Sequence, residues 1–173
     1  MNSNQVILVD ENDNQIGLMP KLEAHEKGVL HRAFSVFIFN DKNELMLQRR
    51  ALSKYHSPGL WTNTCCSHQM ESESNIEAGK RRLKEEMGFE TELKEVTSFI
   101  YKTPFDNGLF EHEFDHVLIG HYNDSPDINL SEVAEWKWMN MEDVRTDVKL
   151  NPDNYTVWFQ IIFDKFYSHL TKN

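Results

Sequence analysis

The feature that most constrains the fold is a pair of long strand-like segments joined by a tight-turn sequence. Residues 96–105 and 110–122 are rich in β-branched and aromatic side chains, and Asp106-Asn107-Gly108 separates them. An Asn-Gly step favours the backbone angles of a tight turn between antiparallel strands. The segment therefore predicts a long β-hairpin, and with it a sheet.

Further segments have the pattern of strands. Residues 6–9 form a short apolar run, and residues 33–39 and 45–48 flank a polar turn, which predicts a second hairpin. Residues 133–139 have a strand pattern as well. Residues 51–59 are loop-like because Ser, Pro and Gly follow one another there.

Helical patterns are fewer. Ser74 and Glu77 have the spacing of a capping box, and an apolar stripe runs from there to Gly88, which predicts a helix. Residues 142–148 and 155–170 also have apolar side chains at helical spacing. Strands in hairpins mixed with a few helices predict an α+β fold, with mixed or antiparallel β-sheets packed against helices. No repeat or linker divides residues 1–173, so we expect a single domain.

The composition limits the possible partners. With 39% hydrophobic residues, 173 residues suffice for one core without disulfides. The formal charge, 18 minus 28 or −10, and the lack of a basic tail disfavour binding to nucleic acid or to anionic membranes. The two cysteines are neighbours, a spacing that disfavours a disulfide and predicts free thiols. With no leader-like or bilayer-length apolar segment, we expect a cytoplasmic protein.

Residues 61–68 place Cys65 and Cys66 close to His68, shortly before the predicted helix with its carboxylates. Thiol, imidazole and carboxylate groups together can hold a metal and transfer protons. If the segment is extended, the two thiols point to opposite faces, so only one of them can enter a cleft. These residues are therefore candidates for a catalytic site.

A second set of candidates has the side chains that transition metals bind. Glu111 and Glu113 are two apart on a predicted strand, so both carboxylates point to one face. With His25, His31 and His68 they would suit Mn²⁺ or Zn²⁺. The alternative is a solvated polar face and unrelated histidines.

Glu86, near the end of the predicted helix, could meet a Mg²⁺ ion bound to phosphate oxygens. The alternative is an exposed ion pair with Arg82, one turn earlier. Several cations could meet the phosphates themselves: Lys21, Arg49, Arg50, Lys54, Arg81 and Arg82.

Ser67 and the following helix resemble a Nudix box, the metal-binding motif of the Nudix fold. The matching positions are Glu73, Arg81, Leu83, Glu85, Glu86, Gly88 and Phe89. Ser67 replaces the first glycine of the motif, and Arg82 replaces a glutamate. Losing one carboxylate weakens the cage of metal ions that hydrolysis of a diphosphate needs.

The chain more closely resembles type I isopentenyl diphosphate isomerase, a Nudix-fold enzyme, over nearly its whole length. The matching segments are residues 21–25, 31–35, 49–54, 58–68 and 111–113. The resemblance implies a Nudix-like α/β/α sandwich that converts isopentenyl diphosphate into dimethylallyl diphosphate. Its partner would be a small-molecule prenyl diphosphate, and we expect a monomer.

The resemblance also implies a role for each matching residue. A transition metal, Mn²⁺ or Zn²⁺, would be held by His25, His31, His68, Glu111 and Glu113. Cys66 and Glu113 would transfer the protons, with Tyr101 beside them, and Trp158 would lie in the cleft. The Mg²⁺ carried by the substrate would meet Glu86 and the carbonyl of Cys66. The diphosphate would meet Lys21, Arg50, Lys54 and Arg82.

Two other functions stay open at this point. One is a metal-dependent Nudix pyrophosphohydrolase, which would release phosphate or pyrophosphate. The other is a non-catalytic module whose metal is structural, although such sites usually use more cysteines than this chain has.

Overall fold

A computed structural model describes residues 4–54 and 56–171 of the chain. Its strands are β1 (Gln5–Val9), β2 (Gln15–Pro20), β3 (His31–Phe39), β4 (Glu44–Arg50), β5 (Trp61–Thr62), β6 (Cys65–Ser67), β7 (Leu93–Pro104), β8 (Phe110–His121) and β9 (Val133–Asn140). Its helices are α1 (Lys21–Lys27), α2 (Asn75–Met87), α3 (Met141–Leu150), α4 (Val157–Lys165) and α5 (Tyr167–Thr171), with a 3₁₀ turn at Pro152–Asn154. Within the described ranges, no helix is both long and apolar enough to cross a bilayer.

Strand β3 is the centre of the sheet. It pairs in parallel with β8 along its whole length, and β8 pairs in turn with β7 in the predicted antiparallel hairpin. The opposite edge of β3 contacts β1 at its start, β6 in its middle and β4 at its end. Strand β4 continues the sheet through β9 and β5. The sheet is therefore mixed, with one long parallel pair inside otherwise antiparallel strands.

Side chains alternate along β3 between two hydrophobic cores. Phe34, Val36 and Ile38 pack with the apolar stripe of α2. Phe37 and Phe39 pack on the other face against α3, α4 and α5. Because successive strand residues point to opposite faces, one central strand serves both layers. This arrangement confirms the predicted α+β fold with helices on both sides of the sheet.

Helix α2 begins and ends as its sequence predicts. Ser74 accepts a hydrogen bond from the Glu77 N–H while the Glu77 side chain accepts one from the Ser74 N–H, which is the capping box. Gly88 ends the helix with a φ of +74°, and a Cβ there would lie 2.4 Å from the carbonyl oxygen of Asp127. Only glycine fits this turn, so the end of α2 is fixed.

One prediction about the helices is wrong. Residues 155–170 do not form one helix, because the backbones of Tyr155 and Thr156 pair with Trp61 and the helix starts only at Val157. It is then interrupted at Phe166, whose ring packs 5.1 Å from that of Phe99 on β7. Tertiary contacts therefore override the helical spacing of this segment.

The hairpin predicted for residues 33–39 and 45–48 forms, but its strands share only the pair Phe39 and Leu45. Beyond that pair the two strands diverge and take other partners. Strands β2, β5 and β6 and helix α1 were not predicted from apolar patterns. The three strands are only two to six residues long, and each is held by pairing with another strand of the sheet.

Candidate active site

The register of three strands brings the candidate residues together. Parallel pairing of β3 with β8 sets His31 opposite Glu113, and antiparallel pairing of β7 with β8 sets Tyr101 opposite Glu113. Pairing of β6 with β3 sets Cys66 opposite Ser35. Helix α1 adds His25 from its last turn. These side chains meet at one edge of the sheet.

Five of the predicted residues form what we call the ligand cluster: His25, His31, His68, Glu111 and Glu113. The Nε2 atoms of His68 and His31 lie 2.9 and 3.2 Å from one carboxylate oxygen of Glu113. The Nε2 atom of His25 lies 3.7 Å from Glu111 Oε2. Candidate ligand atoms of His25, His31, His68 and Glu113 lie within 4.8 Å of one another. The predicted face of β8 is therefore a buried wall of the site, with His112 on its other face.

The ligand cluster fits a divalent metal ion. The Nδ1 atoms of His25 and His31 face the carbonyl oxygens of Lys21 and Val29 at 2.7 and 2.9 Å, so these nitrogens carry the protons. Such a bond turns the lone pair of Nε2 towards the centre of the cluster, as second-shell carbonyls do at metal sites. Where Nε2 is unprotonated, its lone pair faces a carboxylate oxygen, and the two repel each other unless a cation lies between. Burial opposes the charge of His31, yet its bond to Glu113 raises the His31 pKa, so a proton on Nε2 can take the place of that cation.

The charges of the cluster agree with this fit. Burial lowers the pKa of His68 to about 3 despite its bond to Glu113, so this imidazole is neutral, the form that binds metals. Burial opposes the charge of Glu113, yet bonds from His31 and His68 hold its pKa well below the usual value. Burial, followed by the charge of Glu113, raises the pKa of Glu111. The pair therefore keeps Glu113 as its anionic member.

Tyr101 links the two carboxylates. Its buried hydroxyl lies within hydrogen-bonding distance of Glu111 Oε1, and of Glu113 Oε1 at 2.8 Å. Burial and then the two carboxylates raise the pKa of Tyr101 well above its ordinary value, so the hydroxyl keeps its proton. The one hydroxyl group thus contacts both carboxylates and links their positions.

The two cysteines point to opposite sides, as an extended segment requires. Cys65 is fully buried in the core beside α2, whereas Cys66 is half-buried and lines the cleft. Both are free thiols, as predicted. Burial raises the pKa of Cys66 to about 12, although the guanidinium of Arg50, 4.0 Å from the sulfur, opposes the shift. Only one thiol therefore faces the ligand cluster across the cleft.

Four cations, Lys21, Arg50, Lys54 and Arg82, line the same cleft and form what we call the cationic rim. Burial lowers the pKa of Lys21, and repulsion from the other three cations lowers it further. The four charges are thus close enough to repel one another in a chain of net charge −10. A polyanion between them would relieve that repulsion, which makes the rim a local anion site.

Glu86 lies behind the cationic rim. It is 4% exposed, so the predicted ion pair with Arg82 exists but is buried, not on an exposed helix face. Arg82 Nη2 donates to Glu86 Oε2 at 2.7 Å, and Gln48 donates to the other oxygen at 3.0 Å. Arg82 Nε also donates to Oε2 at 3.2 Å, whereas Oε1 accepts only from Gln48 among the hydrogen bonds of the described residues, so a cation can still be bound at Oε1.

Trp158 lies in the cleft at the start of α4. Its indole N–H donates to Asn63 Oδ1 at 3.3 Å, and the Arg50 guanidinium lies 5.4 Å from the ring centroid. The side chain is only 3% exposed. Trp158 therefore both packs like a core residue and contributes an aromatic wall to the cleft.

Two residues at the site were missed in the sequence. Asp115 lies two residues beyond Glu113 on the same face of β8, and its two oxygens accept from Ser35 Oγ at 2.9 and 3.1 Å. Burial and the charge of Glu113 raise its pKa well above the usual value. The strand alternation that identified Glu113 could have found it. His56 lies in the loop between β4 and β5, where no spacing rule points to it.

Known proteins resemble this chain over most of its length. A sequence profile of the NUDIX domain family matches residues 29–159. An Aromatoleum aromaticum protein named isopentenyl-diphosphate Delta-isomerase 2 is 49% identical, over 95% of this chain and 87% of its own. A Photorhabdus laumondii protein of the same name is 51% identical, over 92% of this chain and 90% of its own.

Solved structures resemble the fold at low sequence identity. A Deinococcus radiodurans protein superposes with a TM-score of 0.76 at 20% identity, over 94% of this chain and 99% of its own. The MutT protein of Methanosarcina mazei gives 0.67 at 17% identity, over 82% of this chain and 96% of its own. These two likenesses establish the fold alone. The profile and the relatives lead to one conclusion: the chain belongs to the NUDIX domain family and, within it, to the isopentenyl-diphosphate Delta-isomerases.

Proposed function

We propose that this chain isomerises isopentenyl diphosphate to dimethylallyl diphosphate, and that residues 1–173 act as one catalytic unit. The observation that carries the proposal is that Cys66 and Glu113 line one cleft with the cationic rim. The cleft draws on residues from Lys21 to Trp158, which supports a single unit. The names of the relatives at about half identity give independent support.

The cationic rim would hold the diphosphate. Arg50 and Arg82 offer planar guanidinium groups that match phosphate oxygens, and Lys21 and Lys54 add point charges. Binding at this end fixes the position of the five-carbon chain, so the alkene is held beside the thiol and the carboxylate. No bond to phosphorus needs to break in this arrangement.

The ligand cluster would hold a transition-type divalent ion, Mn²⁺ or Zn²⁺, through His25, His31, His68, Glu111 and Glu113. Glu86, with the carbonyl oxygen of Cys66, would contact a Mg²⁺ ion that arrives with the diphosphate. When bound, the two ions would orient carboxylate oxygens and neutralise the charge of the phosphates. Mn²⁺ and Zn²⁺ are both candidates because the mixed imidazole and carboxylate donors suit either ion.

Two proton transfers complete the reaction. One group delivers a proton to the terminal carbon of the alkene, which leaves a tertiary carbocation, and the other removes a proton from the neighbouring methylene. Cys66 and Glu113 are the proposed pair, and each exchanges role when the reaction runs backwards. The hydroxyl of Tyr101 would keep the Glu113 carboxylate oriented. The face of Trp158 would stabilise the cation by about 2 kcal/mol when desolvated.

A Nudix pyrophosphohydrolase is the alternative function. Such hydrolysis needs several carboxylates on the box helix to hold metal ions around the diphosphate. In this chain Arg82 replaces one of them and pairs with Glu85 and Glu86. That pairing argues for binding of the diphosphate without its cleavage.

The two neighbouring cysteines provide the test. We expect Cys66→Ala to lower the rate of dimethylallyl diphosphate formation by about 10²- to 10⁴-fold, the usual effect of losing a general acid or base. Cys65→Ala removes a sulfur from the core without touching the cleft, so its turnover should stay close to that of the wild type. Product and released phosphate are both measured by ³¹P and ¹H NMR. Full activity of Cys66→Ala would remove the proton-transfer assignment, and release of phosphate or pyrophosphate would favour the hydrolase.

A further inference from the structure

His56 is a buried histidine at the site for which the proposed function has no role. It is 6% exposed and lines the cleft from the loop between β4 and β5. Its ring stacks between two others: the His25 ring at 5.4 Å and 22°, and the Phe105 ring at 5.0 Å and 11°. This stacking holds the imidazole in one plane against the ligand cluster.

The nitrogen of this ring points to the carboxylate of Glu111. His56 Nε2 lies 3.5 Å from Glu111 Oε2, and His25 Nε2 lies 3.7 Å from the same oxygen. Candidate ligand atoms of His25, His56 and Glu111 lie within 4.8 Å of one another. Two atoms that are each about 2.1 Å from a common ion lie roughly 3 to 4.2 Å apart. Both measured separations fall in this range.

We propose that His56 is a further metal ligand, and that His25, His56 and Glu111 form a second position for the divalent ion. The first position is the ligand cluster, in which candidate ligand atoms of His25, His31, His68 and Glu113 lie within 4.8 Å of one another. The inference deepens the proposed function, since it concerns the same site and rests on that function.

The two positions share the Nε2 atom of His25 and the carboxylate of Glu111. His25 Nδ1 is engaged with the Lys21 carbonyl at 2.7 Å, so only Nε2 of His25 can bind an ion. One lone pair serves one ion at a time, so the two positions are alternatives and the chain holds one transition-type ion. The added imidazole makes the donor set softer, which favours Mn²⁺ or Zn²⁺ over Mg²⁺.

The test is a metal titration of the full chain without substrate. The protein is stripped with a chelator, and free Mn²⁺ is followed by electron paramagnetic resonance to give the Kd and the number of ions per chain. His56→Phe keeps an aromatic ring for stacking and removes both ring nitrogens. The matched control is His112→Phe, because the ring of His112 lies on the other face of β8, facing the carbonyl of Gly28.

We expect one ion per chain for the wild type and for His112→Phe, with equal Kd values. Removing one of two alternative positions removes its share of the binding, so His56→Phe should bind Mn²⁺ about twofold more weakly when the two positions bind the ion equally well. The visible spectrum of Co²⁺-loaded His56→Phe should also differ from that of the Co²⁺-loaded wild type. An unchanged Kd and spectrum in His56→Phe would overturn the proposal, and two Mn²⁺ ions per chain would overturn the shared ligand.

Folding of each variant is checked by circular dichroism. If His56→Phe does not fold, the smaller His56→Gln replaces it in the same titration, with the same expected weakening. Because the titration contains no isopentenyl diphosphate, its result is independent of the isomerase activity. If His56→Phe binds Mn²⁺ more weakly than the wild type but the wild type has no isomerase activity, only the proposed function is refuted. If the wild type is active and His56→Phe has the same Kd, only the role of His56 is refuted.

Discussion

In the ligand cluster the carboxylates of Glu111 and Glu113 face imidazoles, whereas beside the cationic rim the carboxylates of Glu86 and Glu132 face Arg82 and Lys54. A neutral imidazole compensates the negative charge of a carboxylate poorly. An arginine or a lysine compensates it fully.

This difference in charge compensation shows which part of the molecule depends on a bound metal ion. The ligand cluster buries carboxylates beside imidazole nitrogens, and a metal ion between them would hold these groups together without repulsion. The rim balances its acidic partners within the chain and keeps charge for an incoming anion. Loss of metal and loss of the anion site should therefore have separable effects.

The largest expected effect is that of removing a carboxylate charge from the ligand cluster, compared with removing one beside the cationic rim. Glu113→Gln should lose most of the transition metal and lower turnover by about 10²-fold or more. Glu132→Gln removes a carboxylate that pairs with Lys54 instead, so its metal content should equal that of the wild type. Metal content is measured by atomic emission after gel filtration. Equal metal content in both variants would show that Glu113 is not a ligand.

Chelation should affect stability next. A ligand present at 100 times its Kd stabilises a folded chain by about 2.7 kcal/mol, which corresponds to roughly 5–11 °C in the melting temperature of a chain of this size. We expect EDTA to lower the melting temperature by that order, and Mn²⁺ to restore it. Scanning calorimetry makes the comparison. A melting temperature that does not respond to EDTA would mean that the ligand cluster is stable without an ion.

These two predictions rest on a site of which the sequence shows only part. Strand alternation places Glu111 and Glu113 on one face, and the extended segment separates Cys65 from Cys66, because both follow from local geometry. The convergence of His25, His31 and His68 on Glu113 depends on long-range contacts. The parallel register of β3 and β8 pairs residues 82 apart in sequence, such as His31 and Glu113, and β6 brings His68 to β3. Only the resemblance to a known family could bring these residues together in advance.

The parts that the sequence could not predict share a physical cause. His56 lies in a loop, and its position is fixed by ring stacking on His25 and Phe105 from distant elements. The break at Phe166 likewise comes from packing against β7. Where local preference and packing agree, as in the capped helix α2, the sequence was sufficient.

The smallest expected effect concerns the rim. Lys54→Met should raise KM for isopentenyl diphosphate by about tenfold with a smaller change in kcat, since it removes one charge that binds substrate and transition state alike. Its effect on stability should stay below about 1 kcal/mol, because the Lys54–Glu132 pair is partly exposed. Lys80→Met, which removes the exposed pair with Glu92, should leave KM unchanged. A rise in KM for both variants would point to net charge and not to the rim.

We propose that one half of the cleft anchors the diphosphate while the other half transfers protons on the carbon chain. The most direct measurement is NMR of isopentenyl diphosphate with the metal-loaded protein and Mg²⁺ in deuterated water. We predict deuterium in the new methyl group of dimethylallyl diphosphate, with both phosphorus signals intact. Release of phosphate without deuterium on carbon would contradict the account.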